Sequence, residues 1–219
     1  MKKWTVALFL LLEAILYAVL LFCGGMTRVA AEFASIVLCF LYVVLHFSKN
    51  NLWFVSGLAF TVAADYCLVV CMPIQQLWGM VFFLLAQTGY AYYLHSRDTG
   101  KAFLFIRLGL IMVAEAVCIL VLKKNTDALA LVSVCYYVNL ILNLIMAFAG
   151  FRKQPLLALG FALFLLCDTV VGLQVAAGGY LPIAEGSLLY RILFMDFHLS
   201  WFFYLPSQVL IALYAGKEK

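Results

Sequence analysis

The sequence predicts an all-α membrane protein, a single domain over residues 1–219 built as an eight-transmembrane-helix bundle with both termini cytoplasmic. Three observations carry this prediction. The chain is 68% hydrophobic and only 11% charged, with a mean hydropathy of +1.11, whereas soluble domains carry about 25% charged residues. Its apolar residues fall in runs long enough to cross the hydrocarbon core as helices, which takes about 17–25 residues each. The polar breaks between runs are short, such as SKNN (48–51), SRDTGK (96–101), KKNTD (123–127) and FRKQP (151–155), so little chain remains for a soluble domain.

The first run, 4–23, follows Lys2 and Lys3 in the manner of a secretory leader. It is longer than the usual leader core, contains Glu13 and lacks a small-x-small cleavage site, so it reads as a retained helix. The LLFCGG segment around Cys23 has Phe22 where a lipoprotein box needs a small residue. The second run, 31–47, is the shortest and has Glu32 at its start. Runs three to seven span 52–72, 76–95, 103–122, 128–149 and 156–176. The eighth, 190–214, contains Pro206, which removes one backbone hydrogen bond and predicts a kink.

Basic residues accumulate in cytoplasmic loops. With the N-terminus inside, the inner segments hold Lys2, Lys3, Lys49, Arg97, Lys101, Arg152, Lys153, Lys217 and Lys219, and Arg107 joins them from just inside the fifth helix. The outer segments hold Arg28, Lys123, Lys124 and Arg191. This bias accounts for the net charge of +4 and leaves no basic patch for a nucleic acid. The compact chain and short loops fit a bacterial plasma membrane. Seven cysteines (23, 39, 67, 71, 118, 135 and 167) lie within or at the edges of apolar runs, with no CxxC, and read as small buried packing residues.

Asp65 and Asp168 stand near the middle of the third and seventh runs, each eight residues after a glycine (Gly57 and Gly160). A carboxyl at the centre of a membrane helix costs about 2.5–3.5 kcal/mol on insertion scales, which makes it a functional-site hypothesis. Glu13-Ala14-Ile15-Leu16 also resembles Glu115-Ala116-Val117-Cys118, at nearly the same offset as the aspartates. Together these predict a parallel repeat of four plus four helices, over 1–95 and 103–214. At 1.5 Å per residue both aspartates lie about 18–20 Å from the inner boundary.

Further polar residues share helix faces by their i, i+3 and i, i+4 spacing. They are Asp196, Ser200, Tyr204 and Gln208 in the eighth run, Tyr136, Asn139 and Asn143 in the sixth, and Gln87 with Tyr90 in the fourth. Such stripes bond helices together or line a polar cavity. Arg107 and Glu115 share a face of the fifth helix but stand about 12 Å apart, too far for a direct pair. His46, His95 and His198 fall near helix ends, and no HExxH, three-histidine cluster, GxSxG, P-loop or GxGxxG occurs, which disfavours a zinc hydrolase and predicts no cofactor and no metal.

GLAFTVAADYCLVV (57–70) and WGMVFFLLAQTGYAYYL (78–94) resemble the third and fourth helices of the YhhN-like lysoplasmalogenase family. LGFALFLLCDTVVGLQ (159–174) is similar to that family's seventh helix, with Cys167 in place of serine. FFYLPSQVLIALY (202–214) resembles its closing segment, matching Tyr204 and Gln208. The chain departs from the family's pattern where Gln87 stands for a histidine, where Ala64 stands for the glycine before the first aspartate, and where RVAAEFAS (28–35) lacks a Lys-Pro.

The resemblance implies hydrolysis of the vinyl-ether bond of a lysophospholipid drawn from the lipid bilayer. Asp65 and Asp168 would form the acid/base couple, since two carboxyls close together in a water-poor site do not both ionise. Tyr204, Gln208, Asn139 and Asn143 would orient water or the glycerol backbone, and Gln87 and Tyr90 complete the substrate-binding set. Two other readings stay open on the residues alone. Repeated halves with midplane acids also describe a proton-coupled transporter, and buried acids can serve only to bond helices in a non-catalytic family member.

Overall fold

The computed structural model describes residues 3–98, 101–178, 180, 183–195 and 197–217. Among these the chain is all-helical. The helices are α1 (Lys3–Phe22), α2 (Gly25–Leu45), α3 (Leu52–Asp65), α4 (Gln76–Asp98), α5 (Lys101–Leu122), α6 (Ala128–Ala149), α7 (Pro155–Ala177), the short α8 (Leu188–Leu193) and α9 (Leu199–Ala215). Six spans are long and apolar enough to cross a membrane: α1, α2, Lys49–Val70 (α3 with its flanking turns), Phe103–Asn125, α6 and α7. The protein is therefore a multi-pass integral membrane protein. α4 and the 17-residue α9 lie within the same bundle.

Three expected boundaries are corrected. α2 starts at Gly25 rather than residue 31, because Gly25 takes a positive φ of 61° that turns the chain directly out of α1. Arg28 then pairs with Glu32 one turn on, at 3.3 Å, which lets the helix carry both charges. The third span stays α-helical only to Asp65 and continues as a π-helical turn over Tyr66–Val70. The last run divides into α8 and α9. Pro206 does not interrupt α9. The carbonyl it frees, that of Phe202 four residues earlier, accepts the Tyr17 hydroxyl of α1 at 3.1 Å.

A ring of six helices forms the bundle: α2 packs on α3, α3 on α4, α4 on α6, α6 on α7, α7 on α9 and α9 back on α2. α1 lies outside α2, and α5 lies outside α6. The partners thus alternate in like order through the two halves of the chain. Two close approaches between helices use the glycines that precede the aspartates. A Cβ on Gly57 would sit 2.4 Å from the Tyr90 ring of α4, and one on Gly160 would sit 2.8 Å from Ile211 of α9 and 3.2 Å from the Ser207 carbonyl. At the axis, α4 and α9 meet twice, through the Phe83 and Tyr204 rings at 6.3 Å and through the Tyr93 and Tyr214 hydroxyls at 2.9 Å.

Candidate active site

Asp65 is the last α-helical residue of α3, and Asp168 sits in the C-terminal half of α7. Both line one open-sided cavity of about 730 Å³, within range of each other's charge. Its volume falls in the range of small-molecule sites, about 300–1,000 Å³. The walls are largely apolar and come from the C-terminal halves of α3, α5 and α7 and the N-terminal halves of α4, α6 and α9. The cavity therefore extends from the acids toward the end of the bundle opposite the N terminus. The α5 wall (Ala114, Val117, Cys118 and Val121) belongs to a helix that packs chiefly on α6 and shows its other faces to the surroundings.

Each acid is held by a tyrosine from another helix. The Tyr204 hydroxyl of α9 donates to Asp65 Oδ2 at 2.6 Å, with both residues buried. The Tyr136 hydroxyl of α6 donates to Asp168 Oδ2, and Asp168 is half-buried. Phe83 and Phe164 pack edge-on between these groups, with Phe164 at 5.3 Å from the Tyr204 ring. The π-helical turn after Asp65 brings Leu68 and Val69 into the wall. Turns of this kind recur at functional sites because they add a residue without breaking the helix.

Of the sequence-predicted site residues, Asp65, Asp168 and Tyr204 meet at the cavity. Gln87, Tyr90, Asn139, Asn143 and Gln208 lie beneath it, buried and outside its lining. Asn143 donates to the Gln87 backbone and side-chain oxygens at 2.8 and 2.9 Å. Arg107 turns inward and donates to Asn139 Oδ1 at 2.7 Å and Asn143 Oδ1 at 2.9 Å. Ser200 lines the cavity with Tyr204, while Asp196 of the same stripe lies outside the described residues. Glu13 is buried away from the cavity lining and accepts from Ser35 at 2.6 Å and Cys39 at 3.4 Å. The turn of α6 that corresponds by depth meets Arg107 rather than Glu115, so the two glutamates do not occupy matching surroundings.

Tyr136 is the partner that sequence reasoning left out of the site. Its signal was the shared face with Asn139 and Asn143, three and seven residues on. A second cavity of about 420 Å³ lies beside α1 and holds Arg28 and His198, whose side chains are in contact. Burial first, and the Arg28 charge second, hold the His198 imidazole below its ordinary value. No cluster of three or more His, Cys, Asp or Glu side chains suited to a metal occurs among the described residues.

Neither a curated protein nor a solved structure is significantly similar to the chain. A model of the YhhN family does match, over residues 27–215. That span takes in every helix contributing to the carboxyl-lined cavity, and the chain belongs to the YhhN family.

Proposed function

We propose that this protein hydrolyses the vinyl-ether bond of a lysoplasmalogen-type lysophospholipid, releasing a fatty aldehyde and a glycerophospho-alcohol. The YhhN family includes lysoplasmalogenases. The observation that carries the reading is the pair of tyrosine-held aspartates in one apolar cavity open at its side. An alkenyl chain suits those walls, and the acids stand where the polar end of such a chain begins.

The chemistry needs two carboxyl groups in different states. One, protonated, transfers its proton to the outer alkenyl carbon, and the carbon bonded to the ether oxygen becomes oxocarbenium-like. The other, ionised, stabilises that charge and accepts a proton from the water that adds there. The hemiacetal hydroxyl then gives its proton to the first carboxylate as the bond to the glycerol oxygen breaks, and that oxygen takes the proton held by the second, which restores both carboxyls. Tyr204 and Tyr136 fix the orientation of each carboxyl. Gln87, where family members carry histidine, lies below the cavity and takes no part in proton transfer in this scheme.

The same reading takes all eight long helices as membrane-crossing, in two four-helix halves of one orientation, with both termini cytoplasmic in a bacterial plasma membrane. The matched packing of α3 on α4 and of α7 on α9, and the glycines at both, support the duplication. That symmetry also favours a second reading, a proton-coupled carrier. Purified protein with a lysoplasmalogen substrate separates the two. Aldehyde release that falls about 10²–10⁴-fold in Asp65→Asn and Asp168→Asn variants, the usual range for lost acid–base catalysis, supports the hydrolase. Substrate-driven proton movement in sealed vesicles without aldehyde supports the carrier, and folded variants with wild-type rates refute the mechanism.

A further inference from the structure

We propose that Gln87 and Gln208 hold a buried water molecule one helical turn beneath the aspartates, and that this site supplies the water consumed in the reaction proposed above. The inference rests on that hydrolase reading for its role, and on independent geometry for its place. Gln87 follows Phe83 by four residues in α4, and Gln208 follows Tyr204 by four in α9. Phe83 and Tyr204 touch across the axis, so a step of four residues aims both amides at the same axis, about 6 Å deeper. Six residues further on, Tyr93 and Tyr214 close the axis again. The two glutamines therefore face the same short interval between α4 and α9.

Both side chains are fully buried, and each keeps one unpaired atom of opposite kind. Gln87 Oε1 accepts from Asn143, but Gln87 Nε2 has no acceptor among the described residues. Gln208 Nε2 has a long contact to Ser207 at 3.4 Å, and Gln208 Oε1 has no donor. A direct amide–amide bond would satisfy both atoms, yet the two do not bond. A water molecule accepting from Gln87 and donating to Gln208 satisfies both and keeps a second hydrogen free. Hydrolysis consumes one water per turnover, and a bound lipid chain would fill the apolar cavity. A polar site beneath the acids gives water a place that the substrate does not occupy. Its oxygen bonds to the oxocarbenium carbon, and the released proton goes to the ionised aspartate.

The test compares wild type with the Gln87→Leu/Gln208→Leu double variant and with Gln208→Met, which leaves the Asn143 bonds intact. Each is assayed on lysoplasmalogen with added methanol, which competes with water and traps the cation as a methyl acetal. The expected result is a kcat about tenfold lower with KM little changed, and a higher ratio of methyl acetal to aldehyde. An unchanged product ratio in folded variants overturns the role in water supply, whatever the rate. Radiolytic hydroxylation of Tyr90, three residues beyond Gln87, reads the water without activity. Labelling in wild type that disappears in the variants supports the site, and no labelling overturns it. A wild-type protein that labels but releases no aldehyde refutes the hydrolase role and leaves the water site standing.

Discussion

A tyrosine hydroxyl bonded to each cavity aspartate sets which carboxyl oxygen is engaged and which way the group turns. Removing either hydroxyl leaves an acid in an apolar wall with one partner fewer, a loss of about 1–3 kcal/mol for a buried group. Tyr204→Phe and Tyr136→Phe are expected to lower aldehyde release by about tenfold or more while the helices persist, as read by a rate assay beside circular dichroism. At the bundle surface, Asp127 caps α6 by accepting from Ala130 at 2.8 Å and from the Tyr180 hydroxyl at 2.9 Å. The Ala130 backbone, then Tyr180, hold its carboxyl below the ordinary value. This stabilisation is complete above the unfolded value, about pH 3.9, and is lost as pH falls through the lower folded value. The melting-temperature gap between wild type and Asp127→Ala is therefore expected to be constant near neutrality and to narrow in acid. Asp65, Asp168 and Tyr204 were legible because polar groups in apolar runs stand out and share helix faces. The same argument named Gln87, Asn139 and Asn143, which lie beneath the cavity lining, since a stripe reveals a face but not where along it a cavity ends.

Helix–helix contact explains the residues that composition alone leaves unexplained. Gly160 lets α7 lie against the α9 backbone, and its added Cβ would meet the Ser207 carbonyl, which cannot rotate away. Gly160→Ala is expected to destabilise the protein by about 1–3 kcal/mol, as overpacking does. Gly109, in α5, has open space around its Cβ position, so Gly109→Ala is expected to be neutral or stabilising by about 0.5–1 kcal/mol. Thermal unfolding in one detergent compares the two directly. Helix existence and order followed from apolar length, and most boundaries fell within a few residues. The start of α2 escaped because Arg28 read as part of the outer loop, while in the fold it pairs with Glu32 along one helix face. The division before α9 escaped because the apolar residues on either side of it read as one run over 190–214, while the helix before it, Leu188–Leu193, is only six residues long.

At the scale of the molecule, a closed ring of helices leaves one side of its cavity to a helix held from outside. α5 reaches the ring chiefly through α6, and Arg107 fastens it to Asn139 and Asn143 at the end away from the cavity. Bulk added at Val117 is therefore expected to fill the cavity without disturbing the ring. Val117→Trp should raise KM for lysolipid by about tenfold or more with little change in melting temperature, measured on one preparation. The polar stripes pointed to a cavity but not to its apolar walls, which use the same Val, Leu and Ala that elsewhere face lipid. The turn over Tyr66–Val70 has a further consequence. It is in effect a one-residue insertion, so deleting a single residue there would restore the ordinary winding. The outward bulge that sets Leu68 and Val69 against the chamber would be drawn back into the helix, while Asp65, upstream, kept its bearing. A shortened chain of that kind would retain its acids and lose the shape of the room they serve.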